Sequence, residues 1–166
     1  MKALRWLGIG LLSMTAIVLC IGIATRFSGG PLGPFPGGPL VDGVLQDAPD
    51  RPAEDWAFVD PIDAIEFQLV EPPRSRTVWI LYHAGDAYIP CGIPNFRLWK
   101  QWPHEALIDG RAVVRIEGTR YRVDVTRVED VAVRAALADG LAAKYDVSAD
   151  YSSEVWFFKL VAPVKG

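Results

Sequence analysis

The sequence predicts a mainly β fold, a small barrel or strongly curled sheet of about six strands with one or two helices, preceded by one transmembrane helix. An uncharged apolar run near the amino end, several short β-forming runs and a single amphipathic helical pattern predict it. Because strands and helices do not alternate along the chain, the pattern does not fit a doubly wound α/β fold.

The composition is that of an ordinary globular chain whose charge is unevenly distributed. The 166 residues are 51% hydrophobic and 22% charged, with a net charge of −3. These values exclude a long disordered tail and give no sign of a strongly basic nucleic-acid-binding face. Beyond residue 26, 14 basic residues stand against 20 acidic ones, a net charge of −6. We therefore expect an acidic folded part and no nucleic-acid partner.

The first element is the uncharged run at residues 6–24, which follows Lys2 and Arg5. As a helix it would span about 28 Å, close to the hydrocarbon thickness of one bilayer. A cleaved signal peptide is the alternative, with residues 22–24 as its cleavage site. The run is longer than the roughly 7–15 apolar residues of a signal peptide, which favours an uncleaved anchor. The prediction is a transmembrane anchor at 1–26 that contacts membrane lipid through 6–24.

Positive charge predicts the orientation of this anchor. Lys2, Arg5 and the terminal amine precede the run, whereas only Arg26 follows it closely. Since the more basic flank stays in the cytoplasm, the amino end is predicted there, with the C-terminal domain outside. The expected location is the bacterial inner membrane, in a single pass.

A Pro/Gly-rich linker is predicted at 27–52, before a domain at 53–166. Ten of the seventeen residues from 27 to 43 are Gly or Pro, a density that excludes a helix or a central strand. A flexible spacer is one interpretation. An arm docked on the domain or on the bilayer surface is the other, because the segment is more apolar than a free spacer needs. The apolar residues concerned are Leu32, Phe35, Leu40 and Val41.

Six strands are predicted by β-forming residues and alternation. The run 76–82 is apolar on both faces and predicts a central strand covered on each side. Glu117-Gly118 is a two-residue connection typical of a hairpin. The strands are predicted at 61–70, 76–82, 87–90, 111–116, 119–125 and 154–161.

Two helical segments interrupt the strands. Residues 92–109 break the strand rhythm with prolines and aromatic residues, which predicts a short helix and a covering loop. The spacing of Thr126 and Glu129 is that of a capping box and predicts a helix start. Apolar residues then recur at every fourth position and give the helix its buried stripe: Val133, Leu137, Leu141 and Tyr145.

Motifs for common catalytic sites are not found in the sequence. There is no nucleophile elbow, P-loop or dinucleotide-binding glycine pattern, and His83 and His104 do not have metal-ligand spacing. No metal site is therefore predicted. Cys91 is interpreted either as a reactive thiol or as a small apolar filler at a strand end. The other cysteine, Cys20, lies in the apolar run, so no disulfide between the two is expected.

One stretch of the chain resembles a known superfamily. Residues 97–116, with 86–92 before them and 118–125 after them, resemble FMN-binding split β-barrel proteins, namely pyridoxamine-phosphate-oxidase-like proteins and deazaflavin-dependent nitroreductases. The resemblance covers roughly 65–160 and rests on the order of a strand with a tight turn, a strand ending in small residues, a helix with a basic residue and Trp, and a hairpin. It implies a small split β-barrel, FMN or deazaflavin as cofactor, and a homodimer with the cofactor at the subunit interface.

The resemblance also implies the residues of a cofactor site. In these families a basic residue on a strand, small residues at the end of the next strand and a basic residue in the following helix hold the cofactor phosphate. The chain departs from the family pattern at 90–92, where Pro-Cys-Gly stands in place of hydroxyl-bearing residues. The matching positions are Arg76, Cys91, Gly92, and Arg97 or Lys100 for the phosphate, with Trp99 and Trp102 near the flavin ring.

These side chains also have simpler interpretations. Arg76, Arg97 and Lys100 have the pattern of solvated charges at a strand end and on a helix. Trp79 and Trp156 are predicted to lie in the core.

Two functions follow as hypotheses. The first is a membrane-anchored split-barrel protein that binds a flavin-type cofactor and reduces a quinone or another small acceptor. The alternative is a cofactor-free β-barrel that serves as a binding or assembly module of the cell envelope, with an envelope protein as partner.

Overall fold

The computed structural model describes residues 2–33, 35–47, 56–97, 100–148 and 154–163. The predicted boundary between linker and domain at residue 52 lies outside these ranges. A long amino-terminal helix precedes the domain, a very short helix follows the fifth strand, and one longer helix packs on the sheet. The helices are α1 (Lys2–Ala24), α2 (Trp102–Glu105) and α3 (Val131–Tyr145).

Eight strands form one sheet, in the order β3-β2-β6-β7-β8-β5-β4, with β1 paired in parallel to β7 and the other pairs antiparallel. The two outermost strands, β3 and β4, are consecutive in the chain, so the sheet must curl to bring its edges together. The predicted mainly β, barrel-like fold is confirmed. The strands are β1 (Leu45–Asp47), β2 (Ala64–Leu69), β3 (Ser75–Trp79), β4 (Leu81–His83), β5 (Asp86–Cys91), β6 (Arg111–Ile116), β7 (Thr119–Arg127) and β8 (Trp156–Val161).

The predicted central strand at 76–82 is wrong. The chain bends at Ile80 and divides this run into β3 and β4, which end the sheet on opposite sides. At the bend, the Tyr145 hydroxyl lies 3.1 Å from the backbone nitrogen of Ile80 and 2.7 Å from its carbonyl oxygen. A side chain of α3 thus satisfies backbone groups that would pair with another strand in a continuous β-strand.

Two apolar clusters hold the domain together. The larger lies inside the curled sheet and includes the fully buried Phe67, Val114 and Phe158. The smaller joins the apolar stripe of α3 to β4, β5 and β8, and includes Leu137 and Leu141. The predicted stripe on this helix is confirmed.

The start of α3 differs from the prediction. Thr126 does not cap the helix, because it lies opposite Lys159 in the ladder between β7 and β8 and so extends the strand. The N-cap is Asp130, whose carboxylate accepts a hydrogen bond of 2.9 Å from the backbone of Val133. The predicted Glu117-Gly118 hairpin is confirmed; both residues have positive φ, +47° and +82°, as a tight turn of this kind requires.

Residues 26–33 and 35–44, here called the arm, pack on the sheet. Leu40 is buried, and its backbone N–H donates to the side-chain oxygen of Gln68. The buried Ser75 hydroxyl on β3 donates to the carbonyl of Gly38 at 2.6 Å, and the Gly37 N–H donates to the carbonyl of Ser75 at 2.9 Å. These contacts match the docked-arm interpretation and not the free spacer.

Two arginines of the β6–β7 hairpin also bind the arm. Arg115 donates to the carbonyl of Gly29 at 3.1 Å, and it is ion-paired with Glu66. Arg120 donates to the carbonyls of Leu40 at 2.8 Å and Gly43 at 2.9 Å. The polar face of the β6–β7 hairpin therefore binds carbonyl groups of the arm.

One helix of the described chain is long and apolar enough to cross a membrane, at Gly8–Phe27. Its large apolar side chains, such as Leu12 and Ile17, are exposed instead of packed on the domain. The predicted anchor therefore has a matching helix, judged by length and composition.

Candidate functional site

An open cavity of about 290 Å³ lies where β3, the end of β5 and the chain leading into α2 meet. The arm contributes one residue to its wall. The lining residues are Pro36, Arg76, Thr77, Val78, Trp79, Pro90, Cys91, Gly92, Lys100 and Trp102.

Arg76 supplies one cation of the cavity. Its guanidinium lies 5.9 Å from the centre of the Trp102 ring, and its buried Nε has no hydrogen-bond partner among the described residues. Burial lowers the pKa of Arg76 to about 10, while the nearby Glu105 carboxylate raises it, so the side chain is still cationic at neutral pH. A buried N–H donor without a partner costs free energy, which makes it a natural donor to an incoming anion.

Lys100 supplies a second cation. The half-buried side chain reaches back from the segment before α2, and its ammonium donates to the carbonyl of Gly92 just after β5. Both Lys100 and Arg76 lower the pKa of the Cys91 thiol. The two cations therefore act on the same end of the cavity, where β5 ends.

Cys91 itself stays protonated. It is the last residue of β5 and is buried, and this burial raises the pKa of its thiol to about 11 despite the two cations. A thiol with this pKa is almost entirely neutral at neutral pH and is a poor nucleophile. The arrangement fits the apolar-filler interpretation of Cys91 better than the reactive one.

Two tryptophans form the aromatic part of the wall. Trp102 is 4% exposed and packs edge-on against Phe67, with the ring centres 5.1 Å apart, so it belongs to both the core and the cavity. Trp79 is 38% exposed and stacks on Tyr145 with the ring centres 4.5 Å apart. The predicted core position of Trp79 is wrong, because the bend after β3 leaves this side chain on the cavity wall.

Five of the seven residues predicted for the cofactor site line this cavity: Arg76, Cys91, Gly92, Lys100 and Trp102. Arg97 is exposed and is not part of the lining, and Trp99 lies outside the described residues. Trp156 packs against the core as predicted, beneath the Arg127 guanidinium at 3.8 Å. The sequence reasoning did not find Pro36, Thr77 and Val78, because only the docked arm and the strand register bring them to the cavity.

The residues present fit a phosphate-bearing aromatic ligand. Two cationic side chains, one of them with an unpartnered buried N–H, are suited to bind a phosphate. Thr77 brings a hydroxyl-bearing side chain to a wall where the Pro-Cys-Gly segment has none. The indole of Trp79 offers an aromatic surface. The cavity volume is near the lower end of the range for ligand sites, about 300–1,000 Å³, and one side is open.

No known family model matches the chain, and no curated protein matches it. Two solved structures are similar. A candidate pyridoxamine 5'-phosphate oxidase from Listeria innocua has a TM-score of 0.49 and 15% identity, over 64% of this chain and 88% of its own. A candidate 5-nitroimidazole antibiotic resistance protein from Bacteroides thetaiotaomicron has a TM-score of 0.43 and 13% identity, over 66% and 80% respectively.

Neither likeness assigns a function at these identities. The strand order stands independently of both: the chain has a mainly antiparallel, curled sheet behind one apolar amino-terminal helix.

Proposed function

We propose that this protein is a membrane-anchored split-barrel flavoprotein that reduces a quinone or another small acceptor. The cavity beside β3 and β5 holds FMN or a deazaflavin, with Arg76 and Lys100 on its phosphate. The observation that carries the proposal is the buried Nε of Arg76, a donor without a partner among the described residues, in a cavity that also receives Lys100.

The bound cofactor supplies hydride-transfer chemistry, and the protein supplies position and electrostatics. Arg76 and Lys100 neutralise the phosphate with charge-assisted hydrogen bonds. Trp79 provides a flat surface for a planar ring, and its stacking on Tyr145 fixes the orientation of that surface. Cys91 stays a neutral thiol and packs beneath the phosphate-binding end.

Cofactor binding tests the proposal. Purified full-length protein is titrated with FMN and, separately, with a deazaflavin, and the flavin fluorescence and visible spectrum are recorded. Arg76→Gln should weaken binding about 10- to 100-fold, since a charge-assisted hydrogen bond contributes about 1.5–3 kcal/mol. Arg74→Gln is the matched control, because Arg74 is exposed just before the same strand, and it should bind like the unaltered protein.

Two further results complete this test. Lys100→Gln should weaken binding, whereas Arg97→Gln should not, because Arg97 lies outside the cavity lining. If neither cofactor binds to the unaltered protein, the proposal is wrong.

The proposed location is the bacterial inner membrane, with the amino end in the cytoplasm and the domain outside. The apolar helix and the basic residues Lys2 and Arg5 support it. A periplasm-dependent reporter fused after Gly166 should be active in the unaltered chain and lose activity when Lys2 and Arg5 are both changed to Glu. Activity of a cytoplasm-dependent reporter at the same site would contradict this orientation.

The proposed assembly is a homodimer. The cavity is open on one side, and Trp79 on its wall is more than a third exposed, a surface that a second copy would cover. Light scattering of the detergent-solubilised protein should give the mass of two chains, and Trp79→Arg should shift it towards one. A single-chain mass for the unaltered protein would contradict the dimer.

The second candidate function is a cofactor-free module that binds an envelope protein. It is favoured by Val41 and Val44, which are 59% and 68% exposed on the docked arm. Changing both to Ser should then remove partners recovered by crosslinking in intact cells. Unchanged partners, or binding of FMN in the titration, would speak against it.

A further inference from the structure

A closed loop follows the apolar helix directly. A Cβ added to Gly37 would lie 1.9 Å from the carbonyl oxygen of Gly30, and one added to Gly38 would lie 2.4 Å and 2.5 Å from the carbonyl oxygens of Ser28 and Arg26. Residues 26–30 and 37–38 therefore run side by side in backbone contact, which only glycine permits. They form the base of a loop whose described residues are 31–33 and 35–36, here called the tip loop.

The tip loop presents two apolar side chains to the outside. Leu32 and Phe35 exchange two backbone hydrogen bonds of 3.2 and 3.1 Å, and the left-handed Gly33, with φ of +59°, lies in the turn between them. Residues paired in this way carry their side chains on the same face. Leu32 is 52% exposed and Phe35 is 45% exposed. Phe27, in the base, is 86% exposed.

The tip loop lies near the end of α1. The base includes Arg26, two residues beyond the last residue of α1, and the carbonyl of Arg26 lies against Gly38. Phe35 is three residues from Gly38, and three residues of chain reach at most about 11 Å. The interfacial layer on each side of a bilayer is about 5–8 Å thick, from the difference between its full and hydrocarbon thickness. If α1 crosses the membrane, Phe35 and the paired Leu32 are held close enough to the bilayer surface to reach the headgroups.

We infer that the tip loop is a membrane-interface anchor, with Leu32 and Phe35 seated in the headgroup region of the membrane that α1 enters. The apolar surface of Leu32 and Phe35 is continuous with the apolar helix. The two backbone hydrogen bonds between these residues hold both side chains in place before they contact the membrane. The exposed Arg26 at the base is a cation at the end of the apolar helix, where a long basic side chain reaches the headgroup level.

The anchor has a consequence for the substrate. Pro36 follows Phe35 and lines the cavity, so the cavity opens beside the bilayer surface. An acceptor dissolved in the lipid, of the quinone class, reaches such a site without crossing water. This consequence rests on the proposed function, whereas the anchor itself rests only on α1 crossing the membrane.

The depth of the tip loop can be measured in the full chain. Single cysteines replace Leu32 or Phe35 in a Cys20→Ala background, carry a nitroxide label, and are reconstituted into vesicles of phosphatidylethanolamine and phosphatidylglycerol. Val131→Cys is the control, since Val131 is 77% exposed at the start of α3, which follows the end of β7 farther along the strand from the arm contact at Arg120. The Cys20→Ala chain without a new cysteine measures labelling of the buried Cys91.

The labels at Leu32 and Phe35 should collide more with lipid-soluble oxygen than with a water-soluble nickel chelate, and the Val131 label should show the reverse. Equal nickel accessibility at all three positions, or release of the chain from the vesicles at alkaline pH, would overturn the anchor. Spin–spin broadening between two tip loops would indicate a second copy as the occupant and would also overturn it.

FMN titration of the same labelled proteins separates this inference from the proposed function. FMN binding together with a water-exposed tip loop would reject the anchor and leave the flavoprotein proposal standing. A lipid-shielded tip loop without FMN binding would support the anchor and reject the flavoprotein proposal.

Discussion

At the end of β5, the Cys91 thiol is near two cations and still keeps its proton. Arg76 and Lys100 lower its pKa, but removal from water has the larger effect and raises the pKa from 9.0 to about 11. Burial therefore decides the protonation state of Cys91. The neighbouring residues in the sequence, Pro90 and Gly92, did not indicate this burial.

We predict slow alkylation of Cys91. In a Cys20→Ala chain at mildly alkaline pH, iodoacetamide should react about 100-fold more slowly than with a free thiol, because each unit of pKa lowers the thiolate fraction about tenfold. The thiolate forms as pH rises through the raised pKa, so the rate should keep increasing towards pH 11. Mass spectrometry of the quenched protein measures it, and a rate that levels off near pH 9 would contradict the prediction.

Tyr145 is a second residue whose role comes from its surroundings. Its hydroxyl lies 2.6 Å from the carbonyl oxygen of Asp63 and 2.7 Å from that of Ile80, and its ring stacks on Trp79. Burial raises the pKa of Tyr145 to about 12, so the hydroxyl remains a donor at neutral pH. It joins α3 to the bend between β3 and β4.

We predict that Tyr145→Phe lowers the free energy of unfolding by about 1–2 kcal/mol, because carbonyl groups at the bend lose a hydrogen-bond donor while the stacked ring remains. Urea unfolding followed by tryptophan fluorescence measures the change. Tyr121→Phe, which also alters a half-buried aromatic ring, should change stability less. An equal loss in both variants would assign no special role to the bend contact.

Among the elements, β3 and β4 show that a local sequence pattern can predict a strand without predicting its length or its place in the sheet. The apolar run 76–82 was correctly predicted as strand but wrongly as central and continuous, since the group that satisfies Ile80 belongs to Tyr145, 65 residues later. Hairpin positions were predicted better. Glu117-Gly118 makes its turn from its own backbone conformation and needs no distant partner.

Replacing glycine by alanine is expected to stabilise α3 but to disrupt the arm. Gly140 lies on the exposed side of α3 with open space around it, so Gly140→Ala should stabilise the domain by about 0.5–1 kcal/mol. Gly38→Ala places a Cβ against the carbonyl oxygens of Arg26 and Ser28, so the base of the tip loop must open. We expect faster hydrogen exchange at the arm in Gly38→Ala and unchanged exchange there in Gly140→Ala. Unchanged hydrogen exchange at the arm in both variants would contradict the close backbone contact at the base of the tip loop.

In the whole molecule, the apolar helix and the domain have separate sources of stability. The two core clusters of the described chain contain residues from Trp56 onward, and α1 contributes none. The 51% hydrophobic composition therefore divides between a helix of membrane-spanning length and a separate core.

We predict that a chain lacking residues 1–24 leaves the membrane fraction and keeps its fold, because the deletion removes no member of either core cluster. Near-ultraviolet circular dichroism should match that of the full chain in detergent, and one cooperative unfolding transition should remain. An aggregated product without a near-ultraviolet signal would show that the domain needs α1.

The candidate site combines both kinds of information. The resemblance to split β-barrel proteins predicted Arg76, Lys100 and Trp102 in one site, because the order of strands and turns indicates their approximate positions. Pro36 and Trp79 were missed as cavity residues, because one reaches the cavity only when the arm docks and the other only because the chain bends at Ile80.

The sequence by itself determined the membrane-length helix, most strand positions, the hairpin turn and the apolar stripe of α3. These depend on residues within a few positions of one another, whose periodicity and turn preferences act locally. Only the tertiary structure decided the sheet order, the docking of the arm, the start of α3 and the cavity. Each of these depends on contacts between distant residues, whose pairing is fixed by burial and hydrogen-bond satisfaction once the whole sheet has curled.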